Sequence, residues 1–231
     1  MDEDQDYVLS PVDPRITIAE KNVVILEEWL SHIEQLAPAS NESWLLISLL
    51  KSARRAYHHL RNGWQCDSTY TAWACRNLLE LRVFAKYIAA SPENRKRFVC
   101  DLIVDSEEKS EALKNLAFRV TPELSLNYDD PHPGIHRAMR DDLSFQGGKY
   151  LSATQLAPQL GLEADFRFTH KMCSKLVHPT AQSILSIDLE DQNERDVHLL
   201  YGCNYLTEVV NDIIPVAQAL VGRPTVSTPQ M

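Results

Sequence analysis

Two charged residues, Arg76 and Glu80, interrupt an otherwise largely apolar stretch at 68–90. If the stretch is a helix, their spacing of four residues places both side chains on one stripe, where they can form an ion pair. Taking an ion pair out of water costs free energy, so a mostly buried pair needs a further reason to be there. Either the pair specifies how helices pack, or it holds a ligand. The other charges of the stretch, Arg82 and Lys86, fall off this stripe and are predicted to be exposed.

A second polar stripe runs through residues 165–180. Helical spacing puts its polar side chains on one side of a short helix, with apolar side chains on both flanks. Two apolar flanks indicate packing on both sides, so the polar stripe would face a cleft; a solvated face is the alternative. The stripe consists of Arg167, His170, Lys171, Ser174 and His178.

These two stripes together predict a pocket. We expect Arg76, Glu80, Ser174 and His178 to line it as ligand-binding residues. An arginine recognises anions, and a histidine can exchange a proton near neutral pH, which makes His178 a candidate catalytic residue. The expected partner is a small anionic ligand or a protein segment. A structural explanation of His178 stays open, because a histidine in the last turn of a helix also stabilises the helix end.

A third group of basic residues lies at 51–61. Arg54 and His59 enclose four residues, and this spacing resembles the Arg-x4-6-His signature of the HEPN ribonucleases. The resemblance implies a helical protein that cleaves RNA without a metal, with the pair in a cleft at a dimer interface. Arg54 and His59 are then the candidate catalytic residues. The alternative is a solvated basic face.

Start and stop signals place the elements that carry these residues. Serine or aspartate caps, prolines in first turns, and closing glycines divide the chain into helices. We predict an all-α fold, a single bundle of six or seven helices in one domain at 16–222, with an acidic disordered arm at 1–15 and a disordered tail at 223–231. The predicted helices span 17–36, 41–61, 68–90, a segment opened by Ser91-Pro92-Glu93, 152–161, 162–177 and 194–221.

Residues 119–150 lose helical periodicity and contain several prolines and glycines. Loops of this length are usually functional or mobile. We predict a long loop there, which is either a lid at the mouth of the predicted pocket or an insertion away from it.

Composition limits the classes of function. A net charge of −9 and a pI near 5.4 argue against a general nucleic-acid binder, whose phosphate contacts need a basic surface. Five cysteines, with no two separated by two residues, indicate reduced thiols in a cytoplasmic protein rather than disulfides or a zinc site. No stretch is apolar enough for a membrane span, and neither a metal nor a cofactor is predicted.

Residues 76–98 and 160–183 together resemble a family of uncharacterised bacterial proteins with a domain of unknown function. The resemblance covers about residues 45–190 and implies a helical fold without an established activity. Its motifs are an Arg-then-Glu helix, a Lys-Tyr-Ile near the end of that helix, and a later Ser-x-x-Val-His-Pro. The matching residues are Arg76, Glu80, Lys86, Tyr87, Ile88, Ser174, His178 and Pro179.

Three functions remain open at the level of sequence. The first is a binding or regulatory module that holds an anionic ligand or a partner segment against Arg76 and His178. The second is a metal-independent ribonuclease in stress or phage defence, using Arg54 and His59 or the set around Arg76. The third is a structural interaction protein whose polar pairs only specify packing, and a homodimer is compatible with each.

Overall fold

Seven helices and no strand form the part of the chain that the computed structural model describes, which is residues 13–38, 40–120, 151–178 and 192–222. The predicted all-α class is confirmed. The helices are α1 (Pro14–Leu36), α2 (Asn41–Trp64), α3 (Ser68–Ala90), α4 (Pro92–Val120), α5 (Ala153–Gln159), α6 (Glu163–Val177) and α7 (Gln192–Val221).

Short polar side chains fix several helix starts. The Ser40 hydroxyl accepts a hydrogen bond from the backbone N–H of Ser43 at 3.1 Å, and the Asp67 carboxylate accepts one from the N–H of Tyr70 at 2.7 Å. These bonds satisfy donors that a helix leaves unpaired in its first turn. Gly161 lies between α5 and α6 and has a φ of 71°. A residue with a side chain rarely adopts that conformation, so the turn between the two helices favours glycine.

Several predicted boundaries differ from the structure; the helix predicted to end at residue 61, for example, continues to Trp64. The arm predicted for 1–15 ends earlier, because Asp13 caps a helix that begins at Pro14. The loop predicted for 119–150 starts later, because α4 continues to Val120. The remainder of that loop, at 121–150, and of the arm, at 1–12, lies outside the described residues, as does the tail at 223–231.

The chain divides into two compact units. One comprises residues 1–89 and 153–231 and contains both candidate stripes, and the other comprises residues 90–152. Within the second unit, both carboxylate oxygens of Asp101 accept the backbone N–H of Leu151, at 3.0 and 2.9 Å. The single domain predicted for 16–222 stays a prediction.

Helix α3 supplies much of the core of the first unit, as its apolar pattern predicts. Eight of its hydrophobic residues are fully buried, and this burial is the main source of stabilisation for such a helix. The eight residues are Ala72, Ala74, Cys75, Leu78, Leu79, Val83, Ala85 and Ile88. In the same unit, Gly202 of α7 lies so close to Leu60 of α2 that a Cβ would clash with the leucine side chain. None of the described helices combines the length and the apolar character that crossing a membrane requires.

Helices α1 and α2 are joined by a ladder of three ion pairs. Three glutamates of α1, spaced by seven residues, meet three basic residues of α2. The pairs are Glu20 with Arg61 at 3.3 Å, Glu27 with Arg54 at 3.7 Å, and Glu34 with Lys51 at 2.7 Å. Because the side chains are largely exposed, each pair contributes at most about 1 kcal/mol. The ladder orients the two helices more than it stabilises them.

Candidate functional site

The predicted ion pair between Arg76 and Glu80 is present on α3. Arg76 Nε donates to Glu80 Oε1 at 3.1 Å. Their side chains are 24% and 33% exposed, so both residues are mostly buried, as predicted, although neither is fully enclosed. Their stripe lies at the edge of the helix, next to open cavities rather than the core, and its neighbour Trp73 is exposed as well.

Arg76 also reaches across to α6. Its Nη1 lies 3.4 Å from Ser174 Oγ and 3.4 Å from His178 Nε2. The structure therefore brings together Arg76, Glu80, Ser174 and His178, the four residues for which ligand binding is predicted. Both contacts are longer than a typical hydrogen bond. Among the described residues, no acceptor lies within hydrogen-bond distance of Arg76 Nη2, so the guanidinium keeps unused donors.

A cavity of about 720 Å³ lies between α5 and α6; we call it the α6 groove. Five basic side chains line it, and one acidic side chain does so. Three of the five, Arg167, Lys171 and Lys175, are cations at neutral pH, in a chain whose net charge is −9 with histidine counted as neutral. The groove is lined by Thr154, Ala157, Pro158, Glu163, Phe166, Arg167, His170, Lys171, Ser174, Lys175 and His178.

His170 joins this cluster, although the sequence argument did not select it as a binding residue. Its ring stacks on Phe166 with 5.1 Å between centroids, and its Nδ1 lies 3.4 Å from Ser174 Oγ. Burial and the positive charges of Arg76 and His178 lower the pKa of His170, against the opposing effect of Glu80. The signal that could have found it is its position on the polar stripe, one turn before Ser174.

Arg54 and His59 do not share a cleft. Arg54 faces α1, where its Nη1 lies 3.7 Å from Glu27 Oε1. His59 faces α3, where its Nδ1 shares a hydrogen bond with the Tyr70 hydroxyl. A paired catalytic role within one protomer therefore lacks its geometry. Arg55, the residue that follows Arg54 in the sequence, is the arginine that lines a cavity together with His59.

Arg82 is the buried cation of α3, and the prediction that it is exposed is wrong. The residue is only 8% exposed. Its Nη1 donates to Asp165 Oδ2 of α6 at 3.1 Å, its Nε pairs with Glu208 of α7, and its guanidinium lies 5.4 Å from the centre of the Tyr205 ring. It is buried because α6 and α7 both pack over this face of α3. Lys86 is exposed as predicted.

Helix α6 carries a thiol, that of Cys173, on the side away from the charged residues of the groove. Cys173 is fully buried. The neighbouring Cys75 thiol and His198 imidazole stabilise its thiolate, and the pKa of Cys173 falls to about 6. Burial alone would lower the pKa of His198, but the contact with Cys173 raises it. This pair of α6 and α7 has no counterpart in the sequence argument, since the two residues are far apart in the chain.

The described residues include no group of three or more metal-binding side chains arranged to hold an ion. All five cysteines are free. Comparisons with known proteins give no further guide to the site, because no family model, no curated protein and no solved structure matches the chain. The candidate chemistry rests on the geometry of the α6 groove.

Proposed function

We propose that the protein is a binding module that holds a small anionic ligand in the α6 groove. The observation that carries this proposal is the charge of the groove wall, where Arg167, Lys171 and Lys175 lie together with two histidines and a single acid. Clustered cations in a partly enclosed cleft raise the local concentration of anions.

Arg76 does not line the groove but lies beside it, because its Nη1 is 3.4 Å from Ser174 Oγ and 3.4 Å from His178 Nε2, which do line it. Its unused Nη2 can donate to a carboxylate or phosphate oxygen, and arginine does so in a planar, charge-assisted geometry. Glu80 holds the other side of the guanidinium through Nε. Glu80 therefore acts as a positioning residue, and Arg76 acts as the contact to the ligand.

The size of the groove favours a small molecule. Its volume of about 720 Å³ lies within the range of roughly 300–1,000 Å³ that is usual for small-molecule sites. The open, partly exposed polar cluster also favours binding over a purely structural role, which would be better served by a sealed and fully paired cluster. We propose a cytoplasmic setting, which the five free thiols support.

Calorimetric titration with citrate, sulfate and inorganic phosphate at low salt tests the proposal. We expect binding by the unmodified protein and a loss of about tenfold in affinity for Arg76→Gln, because a charge-assisted contact is removed. Lys171→Gln, on the groove wall, should lose up to about fivefold. Native mass spectrometry of the protein from its own host would show whether an anion co-purifies.

The matched control is Lys21→Gln, which removes an exposed lysine from α1, far from the groove lining. This variant should bind each anion as the unmodified protein does. The proposal fails if no anion binds at millimolar concentration. It also fails if Lys21→Gln and Lys171→Gln weaken binding equally, because the attraction would then be that of the whole surface.

A further inference from the structure

A second cavity, of about 300 Å³, lies between α2 and α3; we call it the α2–α3 cleft. The proposed anion site does not use it, although Glu80, which lines this cleft, also pairs with Arg76. Its wall combines aromatic rings, an amide, a carboxylate and a guanidinium. The lining residues are Ser52, Arg55, Ala56, His59, Trp73, Asn77, Glu80, Leu81 and Phe84.

Trp73 provides a flat, oriented ring at one end of the cleft. It is 39% exposed. Tyr70 stacks on it with 5.8 Å between centroids and an angle of 10°, and His59 meets it edge-on at 5.6 Å. The hydrogen bond between the Tyr70 hydroxyl and His59 Nδ1 links the two supporting rings. The indole is therefore held in place while part of its surface stays open to a ligand.

The middle of the cleft offers unused hydrogen-bonding groups. Glu80 Oε1 accepts from Arg76, but among the described residues no donor lies within hydrogen-bond distance of Glu80 Oε2. The Asn77 amide likewise has no partner among them. A carboxylate oxygen can accept an N–H, and an amide can donate to a ring nitrogen. Together they match the edge of a nitrogenous heterocycle.

Arg55 sets the charge of the ligand. It is exposed, and no carboxylate of the described residues lies within ion-pairing distance, in contrast to Arg54, Arg61 and Lys51 on the same helix. A free guanidinium in a cleft repels organic cations and attracts phosphate or carboxylate. The ligand is therefore a planar heterocycle with an anionic group.

We propose that the α2–α3 cleft binds a nucleoside monophosphate, with the base stacked on Trp73, its amino edge at Glu80 and Asn77, and its phosphate at Arg55. A volume of about 300 Å³ suits a ligand of the size of one nucleotide. Stacking of a base on an aromatic ring and pairing of phosphate with arginine are contacts of ordinary strength. The linings of this cleft and of the α6 groove share no residue, although Glu80 of the cleft also pairs with Arg76.

Calorimetric titration with adenosine 5′-monophosphate, adenosine and ribose 5-phosphate tests the base contact at Trp73 and the phosphate contact at Arg55 separately. We expect the monophosphate to bind and to quench tryptophan fluorescence. Arg55→Gln should weaken the monophosphate about tenfold and leave adenosine unchanged. Trp73→Leu should weaken the monophosphate and adenosine about tenfold, and leave ribose 5-phosphate unchanged. Arg54→Gln, one residue away but turned towards α1, is the matched control and should bind as the unmodified protein does.

Circular dichroism and the melting temperature establish that each variant is folded, and Trp73→Phe, which keeps a ring, replaces Trp73→Leu if the latter unfolds. The proposal is overturned if the monophosphate does not bind at millimolar concentration. It is also overturned if Lys171→Gln abolishes binding while Arg55→Gln does not, because the phosphate would then sit in the α6 groove. Equal losses in Arg54→Gln and Arg55→Gln would reduce the effect to surface charge.

Discussion

Arg76 and Arg82 lie six residues apart on α3, and each binds a carboxylate, yet their surroundings differ. Arg82 is 8% exposed and binds Asp165 of α6 and Glu208 of α7. The Arg76 side chain is 24% exposed and takes its carboxylate from its own helix. Arg82 joins three helices, whereas Arg76 contributes little to packing and keeps donors for a ligand.

The comparison shows that the number of partners, rather than the presence of an ion pair, separates a structural cation from a binding one. A buried guanidinium must have its charge and its N–H groups satisfied within the protein. An arginine at the edge of a cavity can leave some of them to a ligand. This difference can be measured by removing carboxylates next to each arginine.

The largest effect is expected when both partners of Arg82 are neutralised. Asp165→Asn combined with Glu208→Gln leaves a buried cation among neutral groups, and we expect the free energy of unfolding to fall by about 3 kcal/mol. Urea denaturation measures the change. Glu163→Gln, an exposed acid of α6, is the control and should change stability by less than about 0.5 kcal/mol. A loss below about 1 kcal/mol in the double variant would mean that Arg82 reaches water.

A smaller effect concerns His170 and pH. Because the pKa of His170 is lowered in the folded state, the folded protein binds fewer protons than the unfolded chain just below pH 6.5. The contribution of His170 to the stability of the fold is complete above pH 6.5 and declines as the pH falls towards the lowered pKa of His170. A bound anion favours the imidazolium, so affinity for sulfate should rise in the same window, by up to about fivefold.

Calorimetry with sulfate between pH 7.5 and 5 checks this expectation. His170→Gln should flatten the rise, whereas His58→Gln, which changes an exposed histidine of α2, should keep it. A pH-independent affinity in the unmodified protein would show that His170 does not face the bound anion.

The smallest effect is expected at Glu80. Because the pair with Arg76 is partly exposed, Glu80→Gln should cost less than about 1 kcal/mol of stability and should strengthen sulfate binding, since Arg76 loses its internal anion. Glu27→Gln, which breaks the exposed pair with Arg54, should cost a similar amount without changing sulfate binding. A loss of about 3–5 kcal/mol at Glu80 would make the pair a buried one and remove the contrast with Arg82.

The fold was largely predictable because local signals decide it. The helix at 68–90 has the predicted bounds, and a serine (Ser40) and an aspartate (Asp67) cap helices, as the predicted type of start signal requires. The clustering of Arg76, Glu80, Ser174 and His178 could also be foreseen, because one-turn spacing on each helix fixes which side chains share a face.

Exposure could not be predicted in the same way. A helical pattern gives the direction of Arg82 relative to its neighbours, but α6 and α7, which bury it, are distant in the chain. For the same reason Arg54 matched a catalytic spacing although it pairs with Glu27 across the α1–α2 ladder. The resemblances to HEPN ribonucleases and to the uncharacterised bacterial family stay predictions.

The position of Cys173 gives the α6 groove an internal reporter. Cys173 is fully buried against Cys75 and His198, which stabilise its thiolate only while α6 is packed, so an alkylating reagent cannot reach it in the closed structure. Alkylation therefore requires α6 to separate from α3 and α7, and the alkylation rate reports how often this opening occurs. Any compound that binds only the closed groove slows the reaction in proportion to its saturation, so ligands can be screened by thiol protection without knowing the reaction or partner they serve.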